Sequence, residues 1–380
     1  STKNSVLNLK YGFSYKSKSR DFGFRQFNYD LKLGLVQQSE GIANAYDLDF
    51  YITDENHDSG LYNVKEVSNP SNWYEASLDI YGGYMSFNYK PLANLEIIPA
   101  IRLEYGKQVM RNRNQTQFTK LDVNTISGLE YMPSLAFKYT LKENHVFRLV
   151  GSKTITRPKF SEVAPFQYVA DFAGITAQGN PELANGTNYN GDFRYEWYPT
   201  KTDIISVGAF YKYLQTPIEK TMIATASGQL QSFGNAKFAT VAGVEIEVSK
   251  NLGFFSKNKE SVWNDFAIAF NAAYMFTEVK IDQTTSSINT NNDRPLEGAS
   301  PFLANASLKY EKRLGGDNGK KHKIMAAISY NVFGRRLFAV GSNGIGDQYE
   351  APVHLMNFVL KADIGRKLGL GLNVGNLLNA

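Results

Sequence analysis

The sequence predicts an all-β protein, an antiparallel transmembrane β-barrel, from three observations. Apolar and polar residues alternate with a period of two along nearly the whole chain of 380 residues. Several alternating runs are longer than the usual five or six residues of globular strands. At about 3.3 Å per residue, tilted strands of this length can cross a bilayer core. Short and long connections also alternate, as in membrane barrels with small turns at one face and large loops at the other.

The connections divide the chain into about 14 strands, whose polar faces would surround a wide lumen. Tight links are expected around Lys16–Arg20, Lys90–Ala93, Leu141–Asn144, Pro199–Thr202, Asn251–Val262, Gly315–Lys321 and Gly365–Lys367. Long polar loops are expected at roughly 34–72, 107–128, 157–186, 214–240, 277–300 and 335–352. The first strand is expected to lead into a short turn.

Each predicted strand has an apolar residue at every second position, which is the pattern of a sheet with one apolar and one polar face. In chain order the apolar positions run from Leu7 to Tyr15, Leu95 to Tyr105, Leu129 to Tyr139, Tyr189 to Trp197, Ile205 to Tyr213, Ala242 to Val248, Phe266 to Phe276, Phe302 to Tyr310 and Ile324 to Val332.

The run 73–90 departs from this pattern because its apolar positions change face midway. They are even-numbered up to Ile80 and odd-numbered from Met85 onward, with Gly82 and Gly83 between them. A bulge or a glycine kink produces such a change and is a common means of bending barrel strands. The sequence therefore predicts a bulge at Gly82-Gly83.

Composition is compatible with a barrel and excludes several kinds of site. The 25 Phe and 23 Tyr suit interfacial aromatic girdles, although a Tyr-rich soluble β-protein is the alternative on composition alone. Cysteine is absent, which excludes a disulfide framework and a thiolate metal site. The net charge of +5 is dispersed, so no nucleic-acid partner is expected. No signal peptide precedes Ser1, so we expect a mature, processed or incomplete chain.

No catalytic site, metal site or cofactor is predicted. The four histidines are dispersed along the chain, without the Ser or Asp partner on a facing strand that a hydrolase requires. Asp54–Asp58 is acidic but lacks the spacing of a calcium loop. Gly319-Lys320 lacks the preceding glycine of a phosphate-binding loop. We therefore expect that the protein is not an enzyme.

A series of short motifs carries a family resemblance. In chain order they are Arg157-Pro158-Lys159-Phe160, Gly179-Asn180-Pro181-Glu182-Leu183, Thr216-Pro217-Ile218-Glu219, Gly234-Asn235-Ala236, Gly243-Val244-Glu245 and Asn373-Val374-Gly375-Asn376-Leu377-Leu378-Asn379. Their joint order and spacing resembles the C-terminal barrel region of TonB-dependent outer-membrane receptors, especially the Bacteroidota type. The similarity covers most of the chain.

The resemblance implies a barrel of about 22 strands that holds an N-terminal plug. Residues 1–380 would then be a partial barrel domain, roughly strands 8 to 21, with the plug and the last strand absent from the chain. An open sheet of this size would leave unpaired edges in lipid, which also indicates a portion of a longer chain.

The resemblance further implies integral location in the outer membrane of a Gram-negative bacterium, in contact with lipid and lipopolysaccharide. The expected function is active uptake of a scarce nutrient (a siderophore, vitamin, oligosaccharide or peptide), driven by the inner-membrane TonB complex acting on the plug. Whether a surface lipoprotein caps the barrel is left open. The alternative is a passive porin or another channel without energy coupling.

Two sets of residues are candidates for function. The loop 157–186 combines aromatic and polar side chains that suit sugars or chelates, although packing of an ordinary loop would explain them too. These substrate-contact candidates are Phe166, Tyr168, Asp171, Phe172 and Gln178. Charged residues of the polar faces are expected to contact the plug rather than the substrate. They are Arg102, Glu104, Asp192, Arg194, Glu196 and Glu245.

Overall fold

The computed structural model of the chain is almost entirely β-structure. It describes residues 6–31, 52–69, 72–114, 116–117, 119–169, 176–225, 228–256, 258, 260–281, 290–291, 293–315, 321–341, 344–365 and 368–379. Two short α-helices, α1 (Asp54–Asp58) and α2 (Phe160–Val163), accompany 3-10 turns at Leu252–Phe255 and Val262–Asp265. None of the helices in these ranges is long and apolar enough to cross a membrane.

The strands, numbered in chain order, belong to a large sheet and to smaller sheets in the loops. They are β1 (Val6–Gly23), β2 (Phe27–Leu31), β3 (Tyr62–Glu66), β4 (Trp73–Leu92), β5 (Leu95–Arg113), β6 (Leu121–Leu141), β7 (His145–Thr156), β8 (Gln167–Val169), β9 (Thr176–Gln178), β10 (Gly186–Trp197), β11 (Ile204–Gln215), β12 (Ile218–Thr225), β13 (Gly228–Asn235), β14 (Phe238–Asn251), β15 (Phe266–Lys280), β16 (Phe302–Gly315), β17 (Lys321–Phe333), β18 (Arg336–Gly341), β19 (Gln348–Glu350), β20 (Val353–Ile364) and β21 (Leu368–Val374). The large sheet has the order β1-β4-β5-β6-β7-β10-β11-β14-β15-β16-β17-β20-β21.

The pairing register of the large sheet collects the alternating apolar residues on one face. Tyr131 of β6 lies opposite Leu103, and Val244 of β14 lies opposite Tyr274. Leu129, Leu149 and Val244 on this apolar face are 69%, 52% and 55% exposed. An apolar surface of this extent requires a non-aqueous surrounding. The predicted antiparallel all-β fold with one apolar and one polar face is confirmed.

The predicted link at Lys16–Arg20 is wrong. These residues continue β1 and pair without interruption with Ala76–Ile80 of β4. The sequence resembles a turn there because lysine, serine and arginine occupy both faces of the strand, which removes the alternation. The large sheet therefore has 13 strands within the described residues, one fewer than expected.

The expected direction of the first strand is also wrong. Val6 lies opposite Lys90, beside the short β4–β5 link, and Gly23 lies opposite Trp73 at the other end of β4. Strand β1 therefore runs away from the end of the sheet that carries the short links, and it leads into the long segment 24–72.

The expected loop at 107–128 is wrong as well. Strands β5 and β6 remain paired as far as Arg113 and Leu121, so only residues 114–120 connect them. Polar side chains occupy both faces near the ends of these strands, so the sequence shows no alternation there. Strands β1, β4, β5 and β6 therefore extend beyond the end of the apolar face.

No bulge occurs at Gly82-Gly83, because the β1–β4 register is continuous through both glycines. The apolar residues change parity for another reason. Tyr74 and Ala76 point to the polar-face side of β4, where a folded loop buries each to 2% exposure. The sheet thus carries a second, inward apolar patch near its long-loop end.

The remaining connections agree with the predicted alternation of short and long. The links at Lys90–Ala93, Leu141–Asn144 and Pro199–Thr202 are confirmed. Lys142 and Glu143 both have positive φ in the three-residue turn 142–144 that joins β6 to β7. The link predicted at Asn251–Val262 spans 252–265, and those at Gly315–Lys321 and Gly365–Lys367 fall mostly outside the described residues.

Three long loops combine into a second sheet of six strands, in the order β19-β18-β12-β13-β9-β8. The hairpin β12–β13 from loop 214–240 forms its centre. Strand β18 pairs in parallel with β12, and β9 pairs in parallel with β13. The loops therefore form one layer, which the sequence analysis did not predict.

An arginine placed on either face of the same strand tests the assignment of the two faces. Leu308→Arg puts a charge on the apolar face of β16 and should lower the free energy of unfolding by about 2–4 kcal/mol. Ser307→Arg, one residue away on the polar face, should cost less than about 1 kcal/mol. Denaturant unfolding of the whole protein in lipid vesicles measures both, and equal losses would contradict the assignment.

Candidate functional site

The loop 157–186 packs onto the polar-face side of the large sheet through a small core. Phe160 and Val163 of α2, with Leu183, are buried against β4 and β5. The ring of Phe166 lies 5.8 Å from that of Tyr74 and 6.0 Å from that of Phe22. This core holds the loop against the polar face of the large sheet, so the loop does not project away from the sheet.

A charged cluster on the polar face reinforces this attachment. The carboxylate of Glu104 accepts a hydrogen bond from Arg102 Nε at 2.7 Å and pairs with Arg157 Nη1 at 2.9 Å. Arg157 lies flat on the sheet because Gly106 beneath it has no side chain. A Cβ at that position would stand 3.0 Å from Arg157 Nε. Of the predicted plug-facing residues, Glu104 thus attaches the loop to the large sheet, and Arg102 pairs with Glu104 within that sheet.

A second charged cluster lies on strands β7, β10 and β14. Glu196 is buried and accepts hydrogen bonds from Arg148 Nε at 3.1 Å and from Tyr198 Oη at 2.9 Å. Arg194 lies 3.2 Å from the same carboxylate and also pairs with Glu247. These charges neutralise one another, so the cluster stabilises the contacts between strands of the large sheet.

Asp192 and Glu245 differ from the other four predicted plug-facing residues. Both lie exposed on the polar face, Asp192 on β10 and Glu245 on β14. Within the described part of the chain, neither carboxylate forms an ion pair. They are therefore the two predicted plug-facing residues that have no ion-pair partner among the described residues.

A cleft of about 860 Å³ opens between the loop 157–186 and the segments that flank β2 and β4. Its lining is aromatic and amide-rich: Phe24, Arg25, Gln26, Phe27, Asn69, Asn72, Pro165, Phe166, Gln167, Tyr168, Val169, Thr176 and Gln178. Arg25 is the one charged residue of this lining, and Glu66 binds its guanidinium through both carboxylate oxygens, at 3.0 and 2.6 Å. The described lining therefore carries no net charge.

The ion pair with Arg25 lowers the pKa of Glu66. The hydrogen bonds from Arg25, and next that from the Ser68 hydroxyl, lower the pKa of Glu66 to about 2. Glu66 thus stays ionised through the neutral and mildly acidic range. It joins β3 to the residues just before β2, which form one side of the cleft.

The structure brings three of the five predicted substrate-contact residues to this cleft. Phe166 borders it but is only 1% exposed, since most of its ring packs in the loop core. Tyr168 donates its hydroxyl to the Ser161 carbonyl at 2.9 Å, and Gln178 lies close to the Pro165 carbonyl. Asp171 and Phe172 lie outside the described residues. Substrate contact by these residues stays a prediction.

Sequence reasoning missed the opposite side of the cleft. Arg25, Gln26, Asn69 and Asn72 come from the connection between β1 and β4. Only the pairing of these two strands brings its two ends together, next to the loop 157–186. The amide and aromatic character of Phe24–Phe27 was the available signal, but no pattern linked it to residues far away in the chain.

A buried ion pair joins a fourth loop to the six-stranded sheet. Arg294 donates through Nη1 and Nη2 to the two oxygens of Glu219, each at 2.8 Å, and both side chains are 3% exposed. Glu297 accepts from the backbone N–H of Lys220 at 3.1 Å and pairs with its ammonium at 3.2 Å. These contacts attach the segment 293–301 to β12.

Comparisons with known proteins agree with this architecture. The family model described as TonB dependent receptor-like, beta-barrel matches residues 2–377. No curated protein matches the chain in sequence.

Similar folds occur among solved structures. The siderophore receptor PiuA from Acinetobacter baumannii has a TM-score of 0.63 at 8% identity, over 100% of this chain and 50% of that one. The ferric-catecholate import receptor Fiu from E. coli K12 has a TM-score of 0.57 at 13% identity, over 83% and 42%. For the ferric yersiniabactin uptake receptor FyuA from Yersinia pestis the values are 0.55 and 11%, over 100% and 51%. The chain thus spans about half the length of these structures, and the likeness at such low identity concerns the fold.

Removing one partner of the buried Arg294–Glu219 pair should weaken the six-stranded sheet. Arg294→Met leaves a buried carboxylate unpaired, which costs about 3–5 kcal/mol. The double variant Arg294→Met/Glu219→Leu should recover most of that loss, since no uncompensated charge remains. Arg336→Met is the matched control, because the Arg336–Glu350 pair in the same sheet is partly exposed and worth at most about 1 kcal/mol. Amide exchange in β12 and β13 measures these effects, and equal effects of the two single variants would contradict the assignment.

The low pKa of Glu66 predicts a pH window for the hairpin β2–β3. The folded pKa of about 2 lies below the value of about 4.3 for a free glutamate, so the stabilisation by Arg25 is complete above about pH 4.3. It is lost as the pH falls towards 2. Glu66→Gln should therefore speed amide exchange in β2 and β3 at pH 7, and most of this difference from wild type should be lost by pH 2.

Glu55→Gln on α1, in the same connection, is the control and should leave exchange in β2 and β3 unchanged. A Glu66→Gln difference that persists unaltered at pH 2 would contradict the assigned ion pair.

Proposed function

The chain belongs to the TonB-dependent receptor-like β-barrel family, and we propose that the whole protein imports a scarce nutrient across the outer membrane of a Gram-negative bacterium. The family consists of receptors and transporters rather than enzymes, and its members interact with TonB. The observation that carries the proposal is the family match over residues 2–377, on a sheet with one continuous apolar face and one polar face. The Bacteroidota subtype stays a prediction.

The two ends of the sheet face different compartments. The short links face the periplasm and the long loops face the cell exterior, as in other outer-membrane barrels. The cleft beside the loop 157–186 binds the nutrient at the exterior end. A plug domain that is not part of this chain occupies the polar side, and TonB acts on that plug.

Asp192 and Glu245 are the proposed plug contacts. Their charge is not neutralised by described neighbours, whereas Arg102, Glu104, Arg194 and Glu196 are paired within the wall. A plug surface that carries arginine or lysine would pair with these two carboxylates. Such contacts can break reversibly, because pairs that remain partly hydrated are individually weak.

The lining of the cleft favours an uncharged ligand that is rich in hydroxyl or amide groups. Side-chain amides such as those of Gln26 and Gln178 both donate and accept hydrogen bonds, and the aromatic rings offer apolar faces. A polyanionic ligand would need unpaired cations, whereas the guanidinium of Arg25 is already bound by Glu66. A neutral oligosaccharide or a peptide therefore suits the described lining better than a polyanionic chelate.

A passive channel is the alternative function. The layer of loops favours regulated uptake over this alternative, because a six-stranded sheet attached to the polar side narrows a lumen instead of leaving it open. Energy dependence separates the two functions experimentally.

Deleting the gene should abolish growth at a low concentration of one nutrient when single nutrients are tested in turn. Accumulation of that nutrient by wild-type cells should stop when an uncoupler dissipates the proton gradient. Uptake that rises linearly with concentration and is insensitive to the uncoupler would instead establish a passive channel. Unimpaired growth of the deletion strain on every nutrient would contradict import altogether.

The cleft is tested with the nutrient found in this way. Tyr168→Ala and Gln178→Ala each remove polar groups from the lining and should weaken binding by about 2- to 10-fold, as expected for the loss of one hydrogen bond. Lys159→Ala is the matched control, because Lys159 is exposed on the same loop but does not line the cleft. Unchanged affinity in all three variants would place the binding site elsewhere.

A further inference from the structure

The link 252–265 is longer than the neighbouring links at its end of the sheet and exposes an unusual cluster of apolar side chains. Only Lys142–Asn144 separate β6 from β7, whereas this link contains two 3-10 turns. Phe254, Phe255 and Trp263 are 57%, 63% and 45% exposed. An exposed cluster of this kind marks a surface that another apolar phase covers.

The described residues of the link, 252–256, 258 and 260–265, are joined by hydrogen bonds that fix the positions of these side chains. The side-chain oxygen of Asn251 accepts from the backbone N–H of Gly253 at 2.7 Å, and its amide donates to the Asn264 carbonyl at 2.9 Å. The Asn264 amide in turn donates to the Asn258 carbonyl at 3.1 Å. Gly253 lies so close to the Asn251 and Asn264 side chains that a Cβ would collide with both. The local hydrogen bonds of the link therefore keep the aromatic rings exposed.

A buried carboxylate connects the link to the adjacent turn. Asp203, which is 4% exposed, accepts from the backbone N–H of Asn251 at 3.1 Å and from the ammonium of Lys250 at 3.3 Å. The same ammonium lies 4.9 Å from the ring centre of Phe254. The aromatic cluster thus has a cation beside it, and its position relative to the strand ends is fixed.

The aromatic cluster is continuous with the apolar face of the large sheet. Ring centres are 5.5 Å apart between Phe255 and Trp263, and 6.1 Å apart between Trp263 and Phe266. Phe266 then packs on Tyr310 at 4.9 Å. Tyr310 lies opposite Ala326, within the apolar rows of β16 and β17. The exposed rings therefore extend the apolar face beyond the ends of the strands.

We propose that the link 252–265 is a membrane-interface element, which inserts Phe254, Phe255 and Trp263 among the headgroups and upper acyl chains of the phospholipid leaflet at the short-link end. Tryptophan and other aromatic side chains favour this zone, where one side of the ring is apolar and the other is hydrated. Lys250 and Lys312 lie on the same rim of the sheet, and each pairs with a carboxylate of the chain, Lys250 with Asp203 and Lys312 with Asp265. The proposal does not depend on which nutrient the protein imports, or on whether it imports one.

The absence of cysteine from the chain allows a direct test. Phe255→Cys is labelled with a nitroxide in the whole receptor, reconstituted in phosphatidylethanolamine and phosphatidylglycerol vesicles, with any cysteine outside this chain replaced by serine. Oxygen concentrates in the bilayer and a nickel chelate stays in water, so the ratio of their collision rates with the label reports its depth. Lys201→Cys, on the neighbouring link 198–203, is the matched water-exposed control.

The ratio of oxygen to nickel collisions at Phe255→Cys should exceed that at Lys201→Cys by about threefold or more, as expected for an interfacial position. Equal ratios at the two positions would overturn the proposal, because they would place the link in water. A label shielded from both reagents would also overturn it, since a protein surface would then cover the aromatic cluster. If Phe255→Cys does not fold, Val262→Cys on the same link gives the same readout.

Discussion

The fold depends on one constraint: inside a lipid bilayer, every backbone N–H and C=O of a strand must pair with another strand, because no water is present to replace that partner. Within the large sheet, continuous antiparallel pairing meets this requirement for every strand between β1 and β21, which form its two edges. Its register then places apolar side chains together on one face and polar ones on the other. The two charged clusters on the polar face and the loop core inside the wall are consequences of this separation.

The constraint ends where the strands leave the apolar region. There Glu75, Ser77 and Asp79 of β4 lie on the outer side, and Tyr74 and Ala76 are buried on the inner side. The apolar and polar sides of the strand therefore exchange at this height. The inward apolar patch attaches the loop 157–186, which brings Tyr168 and Gln178 to the cleft. The long strands thus position the candidate binding site as well as forming the wall.

The sequence predicts the strand segments that face the bilayer and few other parts of the fold. Strict alternation, as in Leu129 to Tyr139, locates strands because each apolar position must face lipid. Outside lipid this requirement is absent, so residues 16–20, 107–113 and 121–128 show no such alternation although they belong to strands. The six-stranded sheet could not be predicted for a different reason. Its parallel contacts join β12 to β18 and β13 to β9, which are far apart in the chain. The predicted charges Arg102, Glu104, Arg194 and Glu196 lie on the polar face, but nothing local in the sequence shows that their partners are Arg157, Arg148 and Glu247.

The central claim is that the apolar face meets acyl chains while the polar face meets water and a polar domain. An electron cryomicroscopy structure of the whole protein in a lipid nanodisc tests it most directly. The account predicts a closed barrel with acyl-chain density against Leu149, Val207 and Leu308, and a polar domain against the face that carries Asp192 and Glu245. A second protein layer packed dry against Leu149, Val207 and Leu308 would contradict it.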